Sequence, residues 1–478
     1  MTVKIVVIAL YGLMIIIVGF IGLRRTRTFS DFFLGGGKVG PWMTAFSYGT
    51  AYFSAVLFIG FAGKIGWSFG FSSLWIALFN ALVGVLCVWG VFGWLIKQAS
   101  IKYKVATLSE FLEKRYGSKT FKLLSSLVIF IFLIPYSAAV FMGLSYLFTS
   151  TFGIEYWHAL VFMGLFTSIY LVLGGYKSMA MIDLIFGIIM TAGVIILFIS
   201  TLDKGGGLSN ITLSLREIDP GLTQSVGPPG WWPLLSLIVL TSIAPFAMPQ
   251  LIQKFYAIRD RRSIRIGMVA STFFALLIGG VAYFIGSTTR IFLNPQSNPG
   301  AFNDGQPIYD RLMPELLANV IPESLSVIIL LLILSASMST LAALVLISSS
   351  SLAKDFYHGF LNPEATDRRL TFLMRLGSVF FVLLSVILAF ISPDTIVAIL
   401  GISWGAIGSF FIGPFLWGLI WKGANLAGGM GSALIGLATC IGLYIYGYPS
   451  PQAGTIGMAV SFLANPALSL LITRRKKI

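Results

Sequence analysis

Long apolar segments separated by short polar ones recur along the whole chain. Each is about 20 residues long, the length at which an α-helix crosses a bilayer. The pattern predicts an all-α polytopic membrane protein with about thirteen transmembrane helices. The predicted spans are 4–23, 42–66, 69–95, 121–148, 156–174, 180–202, 232–257, 265–290, 319–352, 370–391, 394–421, 423–447 and 453–472.

The composition supports a membrane protein, since 57% of the residues are hydrophobic and only 10% are charged. Soluble domains carry about 25% charged residues. The first apolar segment precedes Arg24 and Arg25 rather than a small-residue cleavage site, so it is interpreted as span one and not as a signal peptide.

A net charge of +15 would suit a nucleic-acid partner, but the positions of the charges argue against one. With the amino terminus outside, 26 of the 32 Lys and Arg residues fall in inward-facing segments. Cytoplasmic loops carry this excess in membrane proteins. The bias predicts a cell-membrane protein with its carboxyl terminus in the cytoplasm and no nucleic-acid partner.

Catalytic chemistry has little support in the sequence. Cys87 and Cys440 lie in different spans, which excludes a disulfide framework. Gly35–Gly37 and Lys38 lack the frame of a phosphate-binding loop and predict a tight loop before span two. No catalytic residue is predicted, and the chain is not expected to be an enzyme.

Asp183 is an acid inside a predicted span, in the segment GGYKSMAMIDLIFGIIMTAG. A carboxylate at membrane depth is costly unless it is paired, hydrated or neutralised. Asp183 either lies near the cytoplasmic interface and pairs with Lys177, or it belongs to an ion or proton site.

Two spans contain breaks. Span two includes AFSYGTAYFS, with Gly49 among hydroxyls, and span seven includes TSIAPFAMPQ, with Pro245 and Pro249. Proline removes a backbone donor and disrupts its helix. The two segments are either ordinary kinks or the paired interruptions that mark the binding site of a secondary transporter.

Span nine carries the sequence SASMST at residues 335–340, in the middle of an apolar helix. Small residues let helices pack closely in lipid, which accounts for part of this composition. Hydroxyl groups are also oxygen ligands for a hard cation. Together with carbonyl groups freed by a broken helix, they predict a site for a monovalent ion.

These segments resemble the sodium/solute symporter family of sodium-coupled proline, pantothenate, monocarboxylate, sugar and sialic acid carriers. The resemblance covers nearly the whole chain. It rests on DFFLGGGKVGPW (31–42), TLSEFLEKRYGS (107–118), GGYKSMAMID (174–183), PQLIQKFYAIRD (249–260) and ASMSTLAALVLISSSSLAKDFY (336–357).

The resemblance implies a LeuT-like core of two inverted five-helix repeats, each with a broken first helix. The repeats would occupy 42–202 and 232–421, joined by an extracellular loop at 203–231. Residues 1–41 and 422–478 would form the entry loop and peripheral spans one, twelve and thirteen of a single transporter domain.

The resemblance also implies the sodium site. Thr50, Phe53 and Ala336 would provide carbonyl oxygens, and Ser339 and Thr340 their hydroxyls. Asp183 matches an acid that helps form a second sodium site in some members, so one or two sodium ions are expected.

Residues beside the breaks are the candidates for solute binding, namely Tyr52, Ser54, Tyr136, Thr241 and Phe246. Proline carriers of the family have an acid in place of Tyr52 and aromatic residues in place of Thr241 and Pro245. TAYFSAV (50–56) is closer to the pantothenate and monocarboxylate carriers.

The predicted function is sodium-coupled symport of a small organic solute by alternating access. The solute is expected to be a monocarboxylate, a pantothenate-like molecule or an amino acid such as proline. A proton-coupled carrier using Asp183 and a sodium-coupled sugar or sialic acid carrier remain alternatives. The oligomeric state is left open, as is whether Lys64 gates entry or only extends towards the interface.

Overall fold

The computed structural model describes residues 2–25, 33–37, 39–173, 176–320, 322 and 325–475. Within these ranges the side chains of residues 2, 22–25, 37, 170–173, 177–178, 319–320 and 472–475 lie outside the description. Lys38 and the side chains of Arg24, Arg25 and Lys177, which figured in the sequence predictions, therefore lie outside the described part.

The described chain is almost wholly helical. Its first ten helices are α1 (Thr2–Arg25), α2 (Pro41–Tyr52), α3 (Ala62–Phe69), α4 (Leu74–Phe79), α5 (Trp94–Tyr103), α6 (Leu108–Tyr116), α7 (Lys119–Phe152), α8 (Tyr156–Leu173), α9 (Tyr176–Lys204) and α10 (Leu208–Ile218). The next ten are α11 (Trp231–Ile243), α12 (Pro249–Ala257), α13 (Arg261–Ser287), α14 (Thr289–Phe292), α15 (Tyr309–Val320), α16 (Ser326–Ser350), α17 (Asp367–Ile391), α18 (Ile396–Ile420), α19 (Leu426–Ile445) and α20 (Ser450–Arg475).

Shorter elements connect these helices. Two short strands, β1 (Phe302–Asn303) and β2 (Gln306–Pro307), pair antiparallel between α14 and α15. Three segments are π-helical, at Val56–Phe61, Asn80–Gly93 and Ser351–Leu361. Single 3-10 turns lie at Gly35–Gly37, Gly70–Ser73, Pro220–Thr223, Ala244–Phe246 and Pro299–Ala301.

Eleven helical segments of the described chain are long and apolar enough to cross a membrane, so the multi-pass prediction is confirmed while the count of thirteen is not. Two features account for the difference. The continuous segment Val56–Tyr103 combines parts of two predicted spans, and the apolar stretch Tyr156–Ile169 is shorter than the others.

Both predicted helix breaks are present. Helix α2 ends at Tyr52, and Phe53 is extended, with φ −109° and ψ 126°. Helix α11 ends at Ile243, and a short 3-10 turn separates it from α12. Met248 is extended because a proline, Pro249, follows it. Pro249 then begins α12 at the first helical position, where an N–H would have no acceptor within the helix.

The broken helices lie inside the bundle beside α16. Every residue of α16 from Leu332 to Ser350 is buried, including its hydroxyl-bearing ones. Helix α1 exposes Val3 and Leu10, as a peripheral span should. The hydroxyl-rich stretch of α16 therefore faces protein rather than lipid.

On the predicted cytoplasmic side of the protein, polar and charged side chains join α6 to Ser351–Leu361, the segment that continues α16. Thr107 and Glu110 form a reciprocal cap at the start of α6. Thr107 Oγ1 also donates to Asp355 at 2.7 Å, and Lys354 Nζ lies 3.3 Å from Glu110. Burial raises the pKa of Glu110, but Lys354 and the Ala106 N–H outweigh it and lower that pKa overall.

Helices α3 and α13 cross with their backbones in contact. Gly66 faces the backbone of Gly286, and a Cβ on Gly286 would collide with the carbonyl group of Ala62. Only glycine permits so close an approach, as at other helix crossings in membranes. This contact fixes the part of span two beyond the break against α13.

We expect Gly286→Ala to lower the free energy of unfolding by about 1–3 kcal/mol, because the added methyl group forces two backbones apart. Gly280→Ala is the matched control on the same helix, since a Cβ there would meet nothing within 4 Å. The thermal midpoint in detergent micelles measures both. Equal midpoints for the two variants would contradict the close crossing.

Candidate functional site

The two helix breaks meet in the middle of the protein. Tyr52, at the end of α2, donates its hydroxyl proton to the carbonyl oxygen of Thr241 on α11 at 2.6 Å. The hydroxyls of Thr241 and Ser242 lie 2.8 and 2.9 Å from Asn80 Oδ1 and donate to it. Tyr52 of α2 and Asn80 of the π-helical segment Asn80–Gly93 thus hold the end of α11 in place.

A cavity of about 30 Å³ lies between the breaks. It is lined by Tyr52, Phe53, Ser54, Val56, Leu57, Phe61, Asn80, Tyr136, Thr241, Tyr283, Leu400 and Trp404. None of these twelve described residues carries a charge. The volume suits about two water molecules, so a solute requires one wall of the cavity to move outward.

Six of the twelve lining residues are aromatic. The ring centroid of Trp404 lies 6.0 Å from that of Tyr52 and 5.7 Å from that of Tyr136, both edge to face. Such pairs hold one another in fixed orientations. The cavity is therefore lined by aromatic rings held in fixed orientations, together with three residues that have short polar side chains, Ser54, Asn80 and Thr241.

A second group consists only of oxygen atoms and lies between the end of α2 and α16. Ser339 Oγ is 2.9 Å from the carbonyl oxygen of Thr50 and 3.0 Å from that of Ala336. Thr340 Oγ1 is 3.2, 3.5 and 3.0 Å from the carbonyl oxygens of Thr50, Ala51 and Ala336. Each hydroxyl has one proton, so it can donate to only one of these neighbours at a time.

The spacing of these oxygens suits a bound cation. An ion held at about 2.4 Å by octahedral oxygen ligands places adjacent oxygens roughly 3.4 Å apart. Four of the five hydroxyl-to-carbonyl distances here are hydrogen-bond lengths of 2.9–3.2 Å, and the fifth is 3.5 Å, so an ion would need these oxygens to separate only slightly. Phe53 lies at the break itself, and its extended backbone turns its carbonyl group out of the helical pattern.

The helical phase of α16 explains the alignment. The hydroxyls of Ser339 and Thr340 can both donate to the carbonyl oxygen of Ala336, one turn back, which is the usual arrangement for hydroxyls inside a helix. One turn away, Ser337 Oγ accepts a hydrogen bond from the N–H of Ala55 at 3.1 Å. Hydroxyls of α16 thus satisfy backbone groups on both sides of the first break.

Asp183 is completely buried, and its Oδ2 contacts two residues that the sequence did not single out, while its Oδ1 has no hydrogen-bond partner among the described residues. Ser47 on α2 donates to Asp183 Oδ2 at 2.5 Å, and Lys254 Nζ on α12 lies 4.0 Å from the same oxygen. The suggested pairing with Lys177 falls on a side chain outside the described residues. A role of Asp183 in a second sodium site stays a prediction.

The structure brings most of the predicted residues together. Thr50, Ala336, Ser339 and Thr340 share the oxygen group, and Tyr52, Ser54, Tyr136 and Thr241 line the cavity. Phe246 lies in the second break, but its ring packs edge to face on Phe92 at 5.4 Å, and its lining role stays a prediction.

Sequence reasoning missed several contributors, namely Ser47, Ala51, Asn80, Lys254, Tyr283 and Trp404. Asn80 and Lys254 carried a usable signal, because a polar or charged residue inside an apolar helix marks a functional site. The carbonyl group of Ala51 and the rings of Tyr283 and Trp404 carried none.

Lys64 occupies the predicted outer end of span two. Its Nζ donates to Thr395 Oγ1 at 3.0 Å and lies 5.4 Å from the centre of the Tyr309 ring. The adjacent Asp310 accepts the backbone N–H of Ile396 at 3.0 Å. The pKa of Asp310 is raised to about 6, mainly because the carboxyl group is buried. The Ile396 N–H and Lys64 act in the opposite direction but do not cancel the effect of burial. These contacts join span two and α15 to the start of α18.

A larger cavity of about 780 Å³ lies beside Lys64. It shares helices with the central cavity. On α11 it is lined by Leu237, one turn from Thr241, and on α18 by Val397, one turn before Leu400. The two cavities therefore lie about one helical turn apart along α11 and α18.

Comparison with known proteins gives consistent matches. The sequence model of the "Sodium:solute symporter family" matches residues 32–436. The chain is 28% identical to the "High-affinity proline transporter PutP" of Bacillus subtilis over 89% of each chain. It is 25% identical to the "Sodium/pantothenate symporter" of Haemophilus influenzae, covering 93% of this chain and 92% of that one.

A solved structure of a Na⁺-coupled sialic acid symporter, in a substrate-bound outward-open state, has the same fold. It superposes with a TM-score of 0.83 at 19% identity, covering 98% of this chain and 97% of the other. The predicted LeuT-like transporter fold is confirmed, and it is helical apart from the short hairpin of β1 and β2.

We expect a pH-dependent stability difference between the parent protein and Asp310→Asn. The pKa of Asp310 is raised from 3.8 to about 6, so its ionisation destabilises the folded state as the pH rises through that interval. The variant keeps an acceptor for the Ile396 N–H. Its thermal midpoint should therefore rise relative to the parent between about pH 4 and pH 7.

The exposed residue Asp203 offers a control, because Asp203→Asn changes the net charge equally without touching a buried group. Thermal midpoints of the three proteins, measured across that pH interval in detergent, decide the outcome. A constant difference between Asp310→Asn and the parent would contradict the assigned role of the buried carboxyl group.

Proposed function

Because the chain belongs to the sodium:solute symporter family, we propose that it carries a small zwitterionic amino acid of about the size of proline, with sodium bound between α2 and α16. Sodium-coupled transport of a solute across a membrane is the activity of this family, and the protein is a carrier rather than an enzyme.

The observation that carries the sodium site is the oxygen group at the first break. The carbonyl oxygens of Thr50 and Ala336 and the hydroxyls of Ser339 and Thr340 belong to that group. To these four we add the carbonyl oxygen of Phe53, which the break turns out of the helical pattern. Five neutral oxygens suit a monovalent hard cation, whereas a divalent ion prefers several carboxylates. No charged side chain takes part in the 2.9–3.5 Å contacts that define the group.

This placement accounts for coupling. The ion bridges a broken helix and an intact one, so its binding fixes the end of α2, and Tyr52 in the cavity wall is two residues beyond Thr50. Sodium and solute then strengthen each other's binding by the same factor. One positive charge crossing 100 mV supplies about 2.3 kcal/mol, which corresponds to a concentration ratio of about 50.

The solute class follows from the central cavity. An uncharged lining favours a solute with no net charge, and the faces of Tyr52, Tyr136 and Trp404 suit an ammonium group or an apolar ring. The solute carboxylate would lie towards the positive end of a half-helix. The relatives named as proline transporters support this class of solute.

A monocarboxylate or pantothenate-like solute is the second candidate. The likeness of TAYFSAV to carriers of those solutes favours it, as does the relative that carries pantothenate. Such a solute has a carboxylate but no ammonium group, so the aromatic faces would contact only apolar atoms.

The orientation and the repeats belong to the same proposal. The amino terminus lies outside and the carboxyl terminus in the cytoplasm of a cell membrane, as the distribution of basic residues favours. Residues 42–202 and 232–421 form the two inverted repeats, and each begins with one of the broken helices. Alternating access then moves the broken helices relative to α16.

Uptake into proteoliposomes tests the function. An inward sodium gradient is compared with an equimolar potassium control over proline, other small amino acids, pantothenate, pyruvate, acetate, a sugar and sialic acid. We expect sodium-driven accumulation of a small amino acid. Accumulation of pantothenate or pyruvate alone would favour the second candidate, and uptake driven by pH without sodium would overturn the sodium site.

We expect the double variant Ser339→Ala/Thr340→Ala to raise the sodium concentration for half-maximal uptake about 30-fold. It loses two of the five proposed ligands, and a loss of about 1 kcal/mol for each corresponds to that factor. Solute uptake measured against sodium concentration gives the value.

Ser350→Ala is the control for this variant. Ser350 lies on the same buried helix, but its hydroxyl donates only to the carbonyl group of Ile347 one turn back. Its sodium dependence should equal that of the parent. A double variant that keeps the parent's sodium dependence would place the ion elsewhere.

A further inference from the structure

A buried ion pair lies next to the proposed sodium site but is not part of it. Asp183 on α9 and Lys254 on α12 are both completely inaccessible to solvent. Lys254 Nζ donates to Ser47 Oγ at 2.7 Å, and Ser47 in turn donates to Asp183 Oδ2 at 2.5 Å. The ammonium group also lies 4.9 Å from the centre of the Tyr176 ring.

The position of the pair relates it to the coupling machinery. Ser47 and Thr50 lie one turn apart on α2, so the same half-helix contacts the ion pair and the sodium site. Lys254 belongs to the half-helix that follows the second break. The pair therefore connects both broken helices to α9.

A carboxylate at this depth must have a compensating positive charge. A co-transported cation could provide it, and so could a side chain. Here Lys254 provides it, with its ammonium group hydrogen-bonded to Ser47, over the face of Tyr176 and 4.0 Å from Asp183 Oδ2. Asp183 Oδ1 has no hydrogen-bond partner among the described residues. A sodium ion next to Asp183 would lie within a few ångströms of that ammonium group and would be repelled by it.

We propose that Lys254 is a fixed counter-ion that takes the place of a second sodium ion beside Asp183, so that this carrier couples each solute to one sodium. The inference rests on the proposed function, because it concerns how many ions the symporter moves. It also predicts that loss of the ammonium charge converts Asp183 into a sodium ligand.

The charge balance of the cycle follows. The Asp183–Lys254 pair is neutral and stays with the protein. The moving charge is then that of one sodium ion, and a zwitterionic solute adds none. A carrier with a second sodium ion at Asp183 would instead move two charges per solute.

The ratio of sodium to solute distinguishes these cases. In proteoliposomes that contain the full-length protein, the membrane potential at which net solute flux reverses gives the ratio at known sodium and solute gradients. For the parent protein we expect one sodium per solute and a Hill coefficient for sodium near one. A ratio of two would overturn the proposal while leaving sodium-coupled transport intact.

Three variants locate the effect. Lys254→Gln keeps a donor for Ser47 but removes the charge, and we expect its ratio and its Hill coefficient to rise towards two. Lys254→Arg keeps the charge and should keep a ratio of one. Unchanged values in an active Lys254→Gln variant would overturn the exclusion of sodium by the ammonium group.

The single variant Lys254→Gln leaves an uncompensated carboxylate in the core and could fail to fold. The double variant Lys254→Gln/Asp183→Asn leaves no such charge and so provides a second test. We expect it to transport with one sodium per solute. Loss of sodium coupling in this variant would mean that Asp183 binds the transported ion in the parent, which overturns the proposal. Failure of the proposed function looks different, since uptake by the parent itself would then show no sodium dependence.

Discussion

Backbone polar groups in a membrane must find partners inside the protein, and this requirement governs the arrangement around the two breaks. The N–H of Ala55 is satisfied by Ser337, and the carbonyl group of Thr50 has the hydroxyl of Ser339 beside it. Across the cavity, the carbonyl group of Thr241 accepts the hydroxyl of Tyr52. The hydroxyl-rich helix α16 is therefore the structural complement of a broken helix, and the same oxygens can serve an ion.

Charge is distributed differently at the two sites that share α2. The oxygen group near Thr50 is neutral, which suits an ion that must enter and leave. The carboxylate of Asp183 is bound to groups that belong to the protein. A neutral oxygen group and a buried ion pair thus lie one helical turn apart. An ion could leave the neutral group without separating opposite charges.

Much of this could be predicted from the sequence because it depends on strong local signals. Apolar length indicated the spans, proline and glycine indicated the breaks, and the hydroxyls of residues 335–340 indicated an ion site. The family resemblance then assigned Ser339 and Thr340 as its hydroxyl ligands. The partner of Asp183 could not be predicted in this way, since Lys254 is 71 positions away in the chain and the pairing depends on how α9 and α12 pack. Tyr283 and Trp404 were missed for a different reason, because aromatic residues are frequent in this chain and carry no mark of a binding site.

The crossing of α3 and α13 has a mechanical consequence. Backbones that touch through Gly66 and Gly286 leave no layer of side chains that could slide or repack. The two helices are therefore expected to move together as one rigid body. If the pathway beside Lys64 widens, the displacement must occur along the seam towards α18, where single polar contacts such as that between Lys64 and Thr395 can break and re-form.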